Sequence, residues 1–209
     1  ESKLWTVDTI DKHGVTEQYL ANSVISAVGQ LNRPKLPDVP GIESFRGQWC
    51  HSAAWDDSID CTGKKVVVVG SGASAFQLVP AIAGKVKHLT VLQRSAPWMF
   101  ENPIYHEKVP EGTKWCLQHL PFYTRWFRFL IFWPACDGAY DTVFVDPDWP
   151  HQERSINQMN DFVYQMFYDY IKGQVGDDAE LLDKVIPDYA PMGKRTLQDN
   201  GSWLSALKR

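Results

Sequence analysis

The 209-residue chain carries no excess of positive charge: 21 Lys and Arg stand against 25 Asp and Glu, a formal net charge of −4. Duplex binding rests on cations that neutralise phosphates, so nucleic acid is excluded as the main partner. Cysteine is sparse. Cys50, Cys61, Cys116 and Cys136 form no C-x-x-C pair and no zinc-ligand spacing, which argues against a disulfide framework and a metal centre. They read as reduced thiols of a cytosolic protein, and no stretch resembling a signal peptide precedes them. Long apolar runs are lacking as well. Near the aromatic cluster the longest is Phe129 to Trp133, just after Arg125 and Arg128, far short of the roughly 18 residues needed to cross a bilayer. Internal repeats and low-complexity tracts are absent. What is there, 44% apolar and 22% charged residues, is the composition of an ordinary globular protein. The length corresponds to one domain or one and a half, at about 150 residues per domain.

The chain opens with an alternating run (Trp5, Val7, Thr9), a turn at Asp11-Lys12-His13-Gly14 and a second extended run toward Leu20, the pattern of a β-hairpin. After Val24 to Val28 and Gly29, prolines at 34, 37 and 40 mark an extended connector. At Lys64-Lys65 polar sequence gives way to four valines, Val66 to Val69, which predicts a strand buried on both faces of a parallel sheet. Ala73 to Ala83 has helical composition, with Pro80 expected to kink or end it. His88 to Gln93 reads as a second parallel strand, completing β-α-β in about 30 residues. Lys114 to Trp133 is aromatic and helical, broken near Pro121, with Trp126, Phe129 and Trp133 expected in the core. Ser155 to Ile171 predicts a longer helix, with Phe162, Val163, Met166, Phe167 and Tyr170 at helical spacing. Asp177 and Glu180 form a capping-box pattern ahead of Leu181, Leu182 and Val185.

Gly70-Ser71-Gly72-Ala73-Ser74-Ala75 fits G-x-G-x-x-A directly between the valine strand and the helix. Gly70 makes the tight turn, Gly72 lets backbone approach a pyrophosphate, and the small Ala75 lets helix and strand pack closely. The helix N-terminus then faces the phosphates with amides and the positive end of its dipole. The fold class that follows is α/β, a Rossmann-like parallel sheet carrying a helical insertion. Which dinucleotide binds turns on the end of the second strand. A carboxylate there accepts from the ribose of NAD, whereas NADP needs a cation for its 2′-phosphate. The sequence offers Gln93-Arg94-Ser95 and no carboxylate. Arg94 supplies a planar charged fork and Ser95 a hydroxyl, so NADPH is expected over NADH. Taken alone, Arg94 is also compatible with an exposed loop arginine.

Ahead of the strand stands Phe45-Arg46-Gly47-Gln48-Trp49-Cys50-His51-Ser52-Ala53-Ala54-Trp55-Asp56. It resembles F-x-G-x-x-x-H-x-x-x-W-[P/D], the fingerprint of type I Baeyer–Villiger monooxygenases, at every fixed position: Phe45, Gly47, His51, Trp55 and Asp56. Arg94-Ser95, Pro97-Trp98 and Gly193-Lys194-Arg195 look most like the 4-hydroxyacetophenone monooxygenase group. By itself His51 beside Trp55 is compatible with a core histidine next to an aromatic plug. The resemblance implies instead a hinge role for both, between a flavin domain and an NADP domain.

The resemblance also implies a division of the chain: 1–40 as a closing piece of the flavin-domain half with its linker, and 41–110 as the NADP core with the fingerprint. Residues 111–187 would be a helical insertion and 188–209 the return segment of the NADP domain. A β-hairpin piece of the flavin domain then flanks the nucleotide unit. Cofactor contacts are expected at Gly70, Ser71, Gly72, Ala73, Ser74, Ala75, Gln77, Arg94 and Ser95 for NADP, with Gly29 and Gln30 near the flavin of FAD. The adjacent cations Lys194 and Arg195 read alone as a solvated pair. By resemblance, Lys194 joins Arg94 at the 2′-phosphate. Arg195, the one catalytic residue expected, stands over the flavin, where a permanently charged guanidinium stabilises the anionic oxidant and the adduct it forms on a carbonyl. The implied reaction uses NADPH and O₂ to convert a ketone into an ester or lactone. An N- or S-oxidising flavin monooxygenase and a non-catalytic NADP-binding module are the alternatives. No second glycine loop for FAD occurs in the 209 residues, so the chain is expected to be an internal fragment, inactive by itself.

Overall fold

The computed structural model describes residues 3–209. The chain divides into two compact units, 1–59 and 60–209. The division falls after the fingerprint.

In the first unit β1 (Trp5–Ile10) and β2 (Thr16–Ala21) pair antiparallel, with Trp5 opposite Ala21 and Ile10 opposite Thr16. The Asp11 carboxylate closes the turn by accepting from the amides of His13 (2.8 Å) and Val15 (2.9 Å), and Gly14 takes the left-handed φ of 82°. This is the Asp-to-Gly turn chemistry expected of the sequence. Residues 22–40 form no strand or helix, and a short 3₁₀ turn follows at Ile42–Ser44.

The second unit begins with β3 (Lys65–Val69), α1 (Ala73–Ala83) and β4 (His88–Leu92), with β3 and β4 parallel in the register Val67 opposite Thr90. The valine strand is buried on one face only: Val68 packs on the core with Leu89 and Val91, while Val67 (58%) and Val69 (71%) are exposed. Side chains alternate across a strand, and one packed layer covers one face of this two-stranded sheet. Pro80 does not stop α1, which continues to Ala83 and Gly84. Proline forfeits its own amide bond, but the fully buried neighbour Val79 keeps this stretch packed.

A second parallel pair joins β5 (Met99–Glu101) to β6 (Leu197–Asp199) across nearly a hundred residues. Between them lie α2 (Glu111–His119), α3 (Tyr123–Ala135), a 3₁₀ stretch at Asp137–Val143, α4 (Gln158–Val175) and α5 (Ala179–Val185); α6 (Ser202–Leu207) closes the chain. The break between α2 and α3 falls at Pro121 as expected. The long helix starts later than its sequence pattern and runs further. Asn157 caps it by accepting from the Asn160 amide, and Gly176 ends it at φ 71°. Its buried residues are Asn160, Phe167, Ile171 and Val175, while Phe162 and Met166 face outward. The cap of α5 is Asp178, whose carboxylate accepts from the Leu181 amide, rather than Asp177.

The core joins Phe76 and Val79 of α1, Trp98 and Met99, the inner face of α4, and Trp203 and Leu204 of α6. Phe76 and Trp203 stack at 4.7 Å. Trp126, Phe129 and Trp133, expected in this core, are exposed instead. They pack on one another along α3, at 5.7 Å and 5.5 Å between successive rings. No described helix is long and apolar enough to cross a membrane.

Candidate dinucleotide site

The turn between β3 and α1 has the geometry that the glycine pattern demands. Gly70 adopts φ 107°, a conformation that disfavours any side chain, and its amide donates to the Leu92 carbonyl at 2.7 Å. Gly72 is the N-cap of α1 and supplies no side chain to cap the first turn. The opening amides of Ala73, Ser74 and Ala75 therefore have no intrahelical acceptor. A Cβ built at Gly70 or Gly72 would meet nothing within 4 Å, so the space in front of these amides is open. That combination, free donors at a helix N-terminus beside bare backbone, fits a pyrophosphate. Ser71 and Ala75 are half-buried, and the Ser71 hydroxyl donates to the Ser95 carbonyl at 3.1 Å, tying the loop to the end of β4. Gln77, exposed one turn on, donates to the Tyr105 hydroxyl at 3.0 Å.

The far end of the site assembles residues about a hundred positions apart. Arg94 is exposed and makes no hydrogen bond or ion pair among the described residues. Beside it in sequence, the Ser95 hydroxyl accepts from Lys194 Nζ at 3.1 Å. Arg195 is exposed, again without a hydrogen bond or ion pair among the described residues. The structure thus brings Ser71, Ser95 and Lys194 together and leaves two guanidinium groups uncommitted.

Sequence reasoning missed the supports of this cluster. Lys194 Nζ lies 3.9 Å from the centre of the Tyr189 ring. Tyr189 donates its hydroxyl to the Ala96 carbonyl (3.0 Å) and receives the indole N–H of Trp98 on its own carbonyl (2.8 Å). Burial pushes the Tyr189 hydroxyl above its ordinary pKa, so it remains a donor at neutral pH. Just before Lys194, Met192 sits at φ 66°, a strained conformation for a residue with a side chain. It is held on one side by the buried Asn160 amide, which donates to the Pro191 carbonyl (2.9 Å) and the Thr142 carbonyl (3.0 Å). Tyrosine and asparagine at these positions carry no sequence signal, because their partners are backbone carbonyls of distant segments.

Further from the loop, Arg154 grips Asp161 with two bonds of 2.8 and 3.1 Å, and the Ser155 hydroxyl adds a third at 2.9 Å. Burial works against the Asp161 carboxylate, but the bonds from Arg154 and Ser155 outweigh it and hold its pKa below the usual range. Asp199, buried at the end of β6, accepts from Tyr170, Gln174 and the Trp203 amide. Burial first, and then the charge of Asp199, push the Tyr170 hydroxyl far above its ordinary pKa.

The fingerprint belongs to the first unit. Gly47 lies close under an aromatic ring: a Cβ there would lie 2.4 Å from the Phe45 ring unless that ring moved. His51 forms a bridge with Ala54, and its Nδ1 accepts from the Ala53 amide at 3.0 Å, which in the neutral ring leaves the proton on Nε2. Asp56 accepts from the hydroxyl and the amide of Ser58, which together lower its pKa. Trp55 and Phe45 are exposed, so the core-histidine reading with an aromatic plug does not hold in this unit. Gly29 adopts φ 74° with open space around it, and Gln30 beside it is exposed. All four cysteines are free thiols.

A family model described as "Pyridine nucleotide-disulphide oxidoreductase" matches residues 4–120. An uncharacterised monooxygenase of Sinorhizobium fredii is 38% identical over 208 residues, all of this chain and 31% of that protein. A Baeyer–Villiger monooxygenase of Pseudomonas aeruginosa is 32% identical over 182 residues, 87% of this chain and 32% of that protein. The crystal structure of cyclohexanone monooxygenase from Rhodococcus sp. Phi1 bound to NADP⁺ superposes with a TM-score of 0.66 at 26% identity, covering 99% of this chain and 42% of that one. The chain therefore spans about a third of the length of the curated relatives it matches. On the family match, the chain belongs to the pyridine nucleotide-disulphide oxidoreductase family, and along most of its length it is similar to monooxygenases that include Baeyer–Villiger enzymes.

Proposed function

We propose that this chain is the NADPH-binding part of a longer flavoprotein monooxygenase, of the 4-hydroxyacetophenone monooxygenase type, that inserts one oxygen of O₂ beside a ketone carbonyl to give an ester or lactone. The observation that carries the reading is the meeting of Lys194 with Ser95, next to the uncommitted Arg94, at the end of an open glycine loop. In this reading NADPH supplies the hydride and FAD activates oxygen, the hard chemistry being that of the cofactors.

The protein's share is position and charge. The amides of Ala73 to Ala75 receive the pyrophosphate, with Gly70 and Gly72 keeping backbone close to it. Arg94, Ser95 and Lys194 receive the 2′-phosphate. Arg195, permanently charged, stabilises negative oxygen where carbonyl chemistry occurs. Gly29 and Gln30 are assigned to the edge of the flavin, and His51, Trp55 and Asp56 to the coupling of domain movement. Most FAD contacts belong to sequence that these 209 residues do not contain, since they hold a single glycine loop.

The test is made in the full-length flavoprotein with NADPH and NADH in parallel. Removing a charge-assisted bond of about 1.5–3 kcal/mol in Arg94→Ala is expected to raise the KM for NADPH roughly ten- to a hundredfold more than that for NADH. Arg195→Ala is expected to abolish ester formation while flavin reduction by NADPH remains measurable. Equal losses with both nucleotides, or unchanged ester yield, overturn the respective assignment.

A further inference from the structure

We propose that Tyr189 is a positioning residue for cofactor selection: its ring holds the Lys194 ammonium beside Ser95 and thereby sets the preference for a 2′-phosphorylated nicotinamide nucleotide. The inference rests on the reading that Arg94, Ser95 and Lys194 meet the 2′-phosphate, and it adds the group that places the lysine.

An exposed lysine has a flexible four-carbon stem and a strongly hydrated charge, so nothing in the residue itself fixes where the charge sits. Here the ammonium is held from two directions, 3.9 Å from the Tyr189 ring centre and 3.1 Å from the Ser95 hydroxyl. The face of an aromatic ring attracts a cation at this range. An ammonium has three N–H donors, so a bond to Ser95 and a place over the ring leave capacity for a phosphate oxygen.

Tyr189 is itself anchored at both ends. Its hydroxyl holds the carbonyl of Ala96, the residue after Ser95, and its carbonyl receives the indole of Trp98, which is almost fully buried. One side chain therefore spans the exit of β4 and the return segment that carries Lys194. The strained Met192 and the Asn160 bond to Pro191 fix that segment from its other side. A ring that aims a cation at the 2′ position has differential value: NADPH presents a dianionic phosphate there and NADH a hydroxyl, so only the former gains from it.

The experiment measures the dissociation constants of NADPH and NADH for the full-length flavoprotein, with substitutions at positions 189 and 194. Tyr189→Leu is expected to weaken NADPH about two- to fivefold, the range of an exposed cation–π contact, and to leave NADH unchanged. Tyr189→Phe, which keeps the ring, is expected to retain most of the selectivity. In a Lys194→Met background Tyr189→Leu is expected to cost nothing further, because the partner is gone. Progressive fluorination of phenylalanine at position 189 drains the ring face of charge without changing its packing, so NADPH affinity is expected to fall along the series; this arm decides the matter if the leucine variant fails to fold. Equal weakening of both nucleotides in Tyr189→Leu, the same loss in the Lys194→Met background, or a flat fluorine series overturns the role of Tyr189. If Lys194→Met itself leaves the NADPH to NADH ratio unchanged, the 2′-phosphate reading fails and the proposal falls with it.

Discussion

In residues 3–59 no side chain is buried: Trp5, Leu20, Ile25, Val28 and Leu31 all stand exposed around a two-stranded hairpin and an extended connector. Residues 60–209 close Trp98, Met99, Phe167, Ile171, Trp203 and Leu204 into one core. Each unit nevertheless carries a sharp sequence motif, the fingerprint at 45–56 in the first and the glycine loop at 70–75 in the second. The fingerprint is held by bonds between near neighbours, such as Ala53 to His51 and Ser58 to Asp56. The loop is held by partners about twenty or more residues away, Leu92 and Ser95. A recognisable motif and a buried framework are thus separate properties, and only the second unit has both.

The contrast is broken most directly with one tryptophan from each unit. Trp98→Ala in the 209-residue chain is expected to cost about 3–5 kcal/mol for the lost aromatic packing. Trp5→Ala, at a site 63% exposed, is expected to change stability by no more than about 0.5 kcal/mol. Urea unfolding followed by fluorescence reads both, and comparable losses would show that the first unit has an apolar framework of its own.

An intermediate effect is expected at the Arg154–Asp161 pair. Asp161→Asn replaces bonds to a charged group and is expected to cost about 1–3 kcal/mol at pH 7. Because the folded pKa of Asp161 lies below 3.8, the unfolded chain binds the proton more readily. The contribution is present above the unfolded value and is lost as pH falls through the folded one. The gap between the native chain and the Asn variant is therefore expected to hold from neutral pH to about pH 5 and to narrow below pH 3.8. A gap that stays constant down to pH 2 would remove the charge from this account.

A small effect is also expected at Gly47→Ala. The new Cβ would collide with the Phe45 ring at 2.4 Å, but that ring is exposed and its far edge can swing away. A cost below about 1 kcal/mol is expected, with the Phe45 ring displaced in a structure of the variant. A cost above about 2 kcal/mol would mean that the ring is held in place, and the fingerprint would then share the rigidity of the second unit.

Much of the outline was legible from local pattern. The hairpin, the β-α-β unit, the break at Pro121 and the turn at Gly70 follow from alternation, glycine and proline, which act over a few residues. The readings that failed concern what lies opposite an element. Four consecutive valines predict a strand with two buried faces, yet Val67 and Val69 have nothing packed over them. An aromatic helix predicts core, yet Trp126, Phe129 and Trp133 stay exposed and pack ring against ring along α3. The cap of α5 moved by one residue, from Asp177 to Asp178: the capping-box spacing to Glu180 singles out Asp177, but either carboxylate can accept a first-turn amide and the path of the chain selects between them.

The amino-acid sequence by itself determined the glycine turn, the cations Arg94, Lys194 and Arg195, and the absence of a carboxylate between strand and loop, because backbone freedom and fixed charge are properties of single residues. Only the tertiary structure decided that Lys194 meets Ser95 and rests on Tyr189, and that Asn160 holds the segment before them. Those contacts close over separations of 5 to 99 residues through a serine hydroxyl, a backbone carbonyl and a ring face, which many sequences can offer and only packing can bring into register.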